Sequence, residues 1–306
     1  MRPQPAMPVL QIVSAEPLVG KTTVAAGLAR GLASAGSRVQ LLRTGAGEAA
    51  AADAETFASL TFVSSPGQPV AVDRIAAGGG SELVLVEADA GASPLPGAPA
   101  VLVVRRRATE ADSALASSLG DRLVGTVATL VPAANIEAVA RDLTNAGLRP
   151  LALLPEDWQL AAPGVAELRE ALGADVLYDG ENGLDVVESV VVAPIYSDPA
   201  SPHFRRFQSK AILMPSRKTD LLIAAIESEA ACVIATGGAP PSGYVLDRAQ
   251  GGGTTLLLAQ QTTPEAVNAL GDVWAKSRFR GDLKVAAVAR LFEGRVDFAS
   301  LAKKLG

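Results

Sequence analysis

VLQIVSAEPLVGKTT, residues 9–23, running into VAAGLARGLASAG, is the stretch whose reading decides the fold. Val9–Val13 is a short apolar run followed by turn residues, the pattern of a buried strand. Beyond it, Val24, Leu28 and Leu32 recur every four residues, which places them on one face of a helix. Strand, tight loop, Gly-Lys-Thr and helix together are the context in which a phosphate-binding loop is expected. Each residue type has its own reason to be there. Gly20 lets the backbone approach a phosphate closely, and the unpaired N–H groups at the helix start face an anion. Lys21 brings a point charge to the terminal phosphates, and the Thr22 hydroxyl is placed to ligate Mg²⁺. The loop departs from the G-x4-G-K-[ST] pattern, which asks for glycine where this chain has Ala15. A version one residue longer asks for it where the chain has Ser14. An ordinary strand–turn–helix that contains GKTT is the competing reading.

Hydrophobic residues make up 49% of the 306 and charged residues 19%, a globular composition with room for two cores. Aromatics are only 4%, so those cores must be packed with Ala, Val and Leu. A net charge of −5, without a long Lys/Arg block, argues against a nucleic-acid partner. Arg105-Arg106-Arg107 is a short run at a strand end and reads as a solvated rim. The one cysteine, Cys232, excludes an internal disulfide, fits a reducing cytoplasm and sits in an apolar run where packing is its expected role. MRPQPAMP lacks the apolar stretch of a signal peptide, and no apolar run approaches the ~18 residues of a membrane span. A cytoplasmic protein without membrane contact is expected.

Further along, residues 39–42 read as a second strand and 45–56 as a small acidic segment grading into helix. Asp53 is the acid there that could reach a metal site, or else a surface helix residue. Residues 83–86 form an unbroken apolar strand, with Glu87 at its carboxyl end and Asp89 two positions on. Ligands of open parallel sheets bind outside the carboxyl ends of the strands, so an acid opposite a Gly-Lys-Thr loop is where a Mg²⁺-organising carboxylate belongs. At a strand terminus it is expected outside the core. Residues 100–104, 123–131 and 151–154 add Val/Leu-rich strands alternating with helices, which means a doubly wound parallel sheet.

Residues 157–184 read as a short helix and a Gly/Asp/Asn-rich bend, with a domain boundary near 183. The expected organisation is 1–182 as a nucleotide-binding domain and 183–306 as a smaller α/β domain. In the latter, residues 189–195, 210–214, 231–235 and 254–259 read as strands, and 283–305 as a helix packing back on the same domain. Thr236-Gly237-Gly238 follows an apolar strand, with Arg217 and Asp220 after the preceding one. These residues could hold an anion through backbone N–H groups and a guanidinium. The plainer reading, a tight turn with an Arg217–Asp220 pair, is favoured. His203, the only histidine, lies in a Pro-rich loop and is expected at the surface, so no Ser/His/acid set can be assembled.

VSAEPLVGKTT, VEADAG, LVGTVATLVP and PLALLPED, in that order, resemble the dethiobiotin-synthetase-like P-loop domain, in the version found at the amino end of some bacterial phosphotransacetylases. That family continues with a DRTGG domain, resembled here by SRKTDLLIAAIES and Thr236-Gly237-Gly238. The resemblance implies a P-loop fold that takes ATP or another nucleotide with Mg²⁺. Val19, Gly20, Lys21, Thr22, Thr23 and Thr129 would form the nucleotide site, Lys21 and Glu87 would carry any catalysis, and Thr22, Glu87 and Asp53 would stand around the metal. Thr129 stands where relatives carry an Asn that reads the base, and Arg43-Thr44 where they carry Lys-Pro. The acetyltransferase domain is not in this sequence, so acetyl transfer is not expected of it. The resemblance, together with little charge and much apolar content, also implies a homo-oligomer, most simply a twofold dimer. The leading functional expectation is a nucleotide-binding regulatory or sensing protein with slow ATP hydrolysis. The alternatives are an ATP-dependent ligase of unknown substrate and a non-binding scaffold with a degenerate loop.

Overall fold

The computed structural model describes residues 8–75, 82–180, 186–193 and 202–305, apart from the side chains of Pro202 and His203. The expected position of the His203 imidazole therefore lies outside the described residues. The chain divides into two compact units, one running to Asp157 and resuming at Val285, the other Trp158–Lys284.

The first unit is built on β1 (Val9–Val13), β2 (Val39–Arg43), β3 (Leu83–Glu87), β4 (Ala100–Arg105), β5 (Leu123–Val131) and β6 (Pro150–Pro155). They form one parallel sheet in the order β2-β3-β1-β4-β5-β6. Both neighbours of β1 are reached by crossovers, so the chain turns to opposite sides of β1 and leaves a crevice at its carboxyl end. The strands read as unbroken apolar runs because both faces are covered: Val84 to Val86 and Val101 to Val104 are fully buried. Helix α1 (Lys21–Ser34) follows β1, and α2 (Glu48–Ala58) follows β2.

The second unit carries β7 (Asp175–Tyr178), β8 (Ser189–Val192), β9 (Lys210–Pro215), β10 (Cys232–Thr236) and β11 (Thr255–Ala259), in the order β7-β11-β10-β9-β8. All pairs are parallel except β7 with β11. Alternate residues feed two cores. Ala211, Leu213, Cys232, Ile234 and Leu257 pack on one face, and Ile212, Met214, Val233, Ala235, Leu256 and Leu258 on the other. Cys232 is a packing residue whose thiol is pushed up to about 12 by burial.

Three expectations change. The division falls after Asp157 rather than near residue 183, which lies outside the described residues. The segment read as helix and bend contains β7, whose antiparallel pairing with β11 makes it part of the second sheet. The chain end, expected on the second domain, belongs to the first unit.

That end is two helices, Asp282–Phe292 and Phe298–Leu305, broken around Gly294 at φ +68°. They seat on α1 because α1 is smooth there. A Cβ on Gly27 would stand 2.3 Å from the Phe292 ring, and one on Gly31 would stand 2.1 Å from the Phe298 ring. The two rings lie 6.1 Å apart, centroid to centroid. Phe292 is 1% exposed, so Phe292→Ala should destabilise the protein by about 3–5 kcal/mol through lost burial and the cavity left behind. Urea unfolding checks this, and a cost below about 1 kcal/mol would mean that the ring is not seated on α1.

Candidate functional site

The loop leaving β1 has two left-handed residues, Leu18 at φ +56° and Gly20 at φ +83°. Glycine adopts this backbone without strain. For leucine it costs roughly 1–2 kcal/mol, and the Leu18 side chain is 81% exposed. Such alternation curls successive N–H groups toward one point. Among the described residues, none of the amides of Ala15, Glu16, Leu18, Val19 or Gly20 donates to a backbone acceptor outside the regular elements. The loop is braced from both sides instead through its carbonyls. Gly91 N donates to Ser14 O at 2.9 Å, and Thr129 Oγ1 donates to Val19 O at 2.7 Å with Val104 O at 3.3 Å. The Thr129 methyl also lies 3.6 Å from where a Gly20 Cβ would be, so this side chain packs under the loop. Its one proton faces backbone carbonyls, so this side chain braces the loop.

Lys21 and Thr22 open α1. Lys21 is 7% exposed, and its Nζ donates to Ser14 Oγ at 2.8 Å. Ser14 Oγ in turn donates to Glu16 O at 2.6 Å. Serine at 14 thus gives the loop lysine a resting partner that glycine would not. Burial lowers the Lys21 pKa, with Arg43 acting the same way and Glu87, Asp89 and Asp53 opposing it. Thr22 Oγ1 lies 3.1 Å from Glu87 Oε1 and 3.4 Å from Asp53 Oδ1. Thr23 follows on the same helix, half-buried.

Glu87 corrects the expectation of a peripheral strand-end acid, because it is 2% exposed. Parallel neighbours β1 and β2 flank it, with Ile12 and Arg43 as its register partners. Its Oε2 is buried without a hydrogen-bond partner. Burial, then the Asp53 charge, push its pKa up to about 7 against the pull of Arg43, Lys21 and the Thr22 hydroxyl.

Arg43 is the residue that the sequence reading undervalued. At 6% exposure, its Nε donates to Asp53 Oδ2 at 3.0 Å and an Nη to Asp89 Oδ1 at 2.6 Å, while the other Nη bonds Thr44 O. Burial works against its charge, but Glu87, Asp89 and Asp53 outweigh it and raise its pKa further. Gly45, at φ +109°, makes room for the Asp89 carboxylate, which a Cβ would meet at 2.1 Å. The signal available in the sequence was a charged residue ending an apolar strand beside a run of small and acidic residues.

The site is thus a curled loop with uncommitted amides, a buried lysine, a hydroxyl between two carboxylates and a buried carboxylate oxygen without a partner. These are hard oxygen donors and suit Mg²⁺, which keeps waters and takes phosphate oxygens as ligands. Among the described residues, no group of three or more His, Cys, Asp or Glu side chains could by itself hold a metal.

The second candidate site does not assemble as an anion cradle. Gly237 N donates to Gln261 O at 2.8 Å and Gly238 N to Ala259 O at 3.1 Å, so both amides are committed to the turn. Thr236 Oγ1 bonds Met214 O at 3.1 Å and pairs with Thr263 Oγ1 at 2.7 Å. Arg217 and Asp220 are exposed, and among the described residues no ion pair joins them.

A DRTGG domain family model matches residues 167–273, inside the second unit. The phosphate acetyltransferase of Nitratidesulfovibrio vulgaris is 25% identical over 171 residues, which are 51% of this chain and 24% of that protein. The chain thus aligns with about a quarter of that relative's length. Among solved structures, the CBS and DRTGG domains of the Clostridium perfringens pyrophosphatase regulatory region, in complex with the activator diadenosine tetraphosphate, are similar at 19% identity and TM-score 0.32. They cover 39% of this chain and 51% of that one. The MinC:MinD cell division complex of Aquifex aeolicus is similar at 17% identity and TM-score 0.40, over 50% of this chain and 83% of that one. The DRTGG part of the resemblance is met by the family model; the dethiobiotin-synthetase part rests on the motifs alone.

The Glu87 pKa has a testable sign. A carboxyl raised from 4.5 unfolded to about 7 folded costs nothing below pH ~4.5, erodes stability as pH climbs to 7, and costs its full amount above, on the order of 3 kcal/mol. Glu87→Gln should therefore gain stability relative to wild type between pH 5 and pH 8 in urea unfolding. An identical difference at both pH values would show that Glu87 titrates normally.

Proposed function

We propose that the first unit binds a nucleotide, ATP with Mg²⁺, and that the DRTGG-containing chain works as a nucleotide-responsive regulatory or sensing protein that hydrolyses ATP slowly. The observation that carries the reading is the meeting of Lys21, Thr22 and the unpartnered Glu87 Oε2 beneath a loop whose amides are uncommitted. Gly20, Lys21, Thr22 and Thr23 would hold the phosphates by N–H groups at the start of α1, where the helix dipole favours an anion. Lys21 would exchange Ser14 Oγ for a phosphate oxygen. Thr22, Glu87 and Asp53 would stand around Mg²⁺, which when bound neutralises phosphate charge. A neutral Glu87 carries the proton that the metal displaces, so nucleotide binding should strengthen as pH rises through 7.

Sensing is preferred to a ligase because Arg43, at the position where relatives handle substrate with lysine, is tied to Asp53 and Asp89. A cation held by two carboxylates is a poor trap for a third. A twofold dimer in a cytoplasmic setting completes the proposal.

The test is a thermal melt of wild type and Lys21→Ala with Mg-ATP. At ligand near 100 times its dissociation constant, wild type should gain about 2.7 kcal/mol and the variant far less. Without ligand the variant should be as stable as wild type or slightly more so, because a desolvated ammonium at the positive end of a helix is removed. Equal stabilisation of both proteins would put the nucleotide elsewhere, and no response in wild type would leave the scaffold reading.

A further inference from the structure

The run Arg105-Arg106-Arg107, read from sequence as a solvated rim, is a closed turn beside the phosphate loop. Arg107 N donates to Arg105 O at 2.6 Å, which tightens the chain around Arg106 at φ +60°. A three-residue turn with a left-handed non-glycine centre is a strained conformation. It is held by the end of the neighbouring strand. Arg106 N donates to Thr129 O at 2.9 Å, Arg106 Nε to Leu130 O at 3.3 Å, and an Nη of Arg106 to Glu156 Oε1 at 2.6 Å. Leu130 is itself left-handed, at φ +53°.

Strain is concentrated here. The described residues contain five non-glycine positions with positive φ. Three of them, Leu18, Arg106 and Leu130, stand at the carboxyl edge of the first sheet. Such backbone gathers where a ligand must be met. The turn is also continuous with the phosphate loop. Arg105 is the register partner of Thr129, and Thr129 Oγ1 is the atom that braces Val19 O and Val104 O.

The charge is unbalanced. Among the described residues, Arg106 alone of the three guanidinium groups has a carboxylate, Glu156. Arg105 and Arg107 are exposed, and among the described residues neither has an ion pair or side-chain hydrogen bond. Two unpaired guanidiniums on one tight turn suit a planar or tetrahedral oxyanion, which accepts paired N–H bonds.

We propose that this arginine turn is a second anion subsite, which takes a carboxylate or phosphate group of a further small-molecule ligand beside the bound nucleotide. The proposal rests on the nucleotide reading for its neighbour, but the anion site itself does not need the phosphate loop to work.

The test uses the full chain carrying Lys21→Ala, so that the phosphate loop cannot report. Calorimetric titration with pyrophosphate and with malonate should show binding of at least one. Adding Arg105→Gln and Arg107→Gln should weaken that binding about tenfold or more, with the unliganded melting temperature unchanged because both side chains are exposed. Response to pyrophosphate alone assigns a phosphate group, and response to malonate alone a carboxylate. Binding of neither anion, or binding that persists without the arginines, overturns the proposal. Mg-ATP titrated into the Arg105→Gln, Arg107→Gln protein with Lys21 intact scores the nucleotide reading separately and should give wild-type affinity.

Discussion

Arg43 donates to Asp53 and Asp89 while lying beside the buried carboxyl of Glu87, so acids from α2 and from the end of β3 converge on one guanidinium. Taking so much charge out of water is costly unless each group finds a partner. In the first unit the price is met at the carboxyl edge of the sheet, where β2 and β3 end side by side. Asp53 and Asp89 are pinned there and partly solvated, which lets them hold Arg43 while Glu87 keeps one oxygen unbonded. Remove the guanidinium, and Asp53 and Asp89 would lose the cation they share beside the buried Glu87.

The same economy governs the loop after β1. Its carbonyls are tied down by Gly91 and Thr129, and its lysine rests on Ser14. Among the described residues its amides are left without backbone partners. The glycine turn of the second unit shows the contrast: Gly237 and Gly238 have both amides bonded within the fold. Two loops that each leave a buried parallel strand thus differ in what they leave unsatisfied.

Much of this was legible in the residues. Unbroken Val/Leu strands alternating with helices determined a parallel α/β fold, because only strands covered on both faces are apolar throughout. Gly20, Lys21 and Thr22 at the start of a helix and Glu87 at the end of a strand were located in the residues, because a strand end and a helix start are points that periodicity locates. Asp53 stood as one of two readings, and the ion pair with Arg43 is what brings it to Thr22.

What only the tertiary structure decided depends on partners distant in sequence. Arg43 looked like a departure from a family pattern; its role appears only when Asp53 and Asp89, 10 and 46 residues away, close on it. Gly27 and Gly31 drew no reading from the sequence, and they are the groove for Phe292 and Phe298, some 270 residues later. That contact assigns the chain end to the first unit. The sequence by itself determined which segments are strands and helices and which of their ends carry chemistry, since those are local properties of spacing and residue type. Pairing of charges and seating of rings were left to the tertiary structure, because they depend on distances that no local pattern encodes.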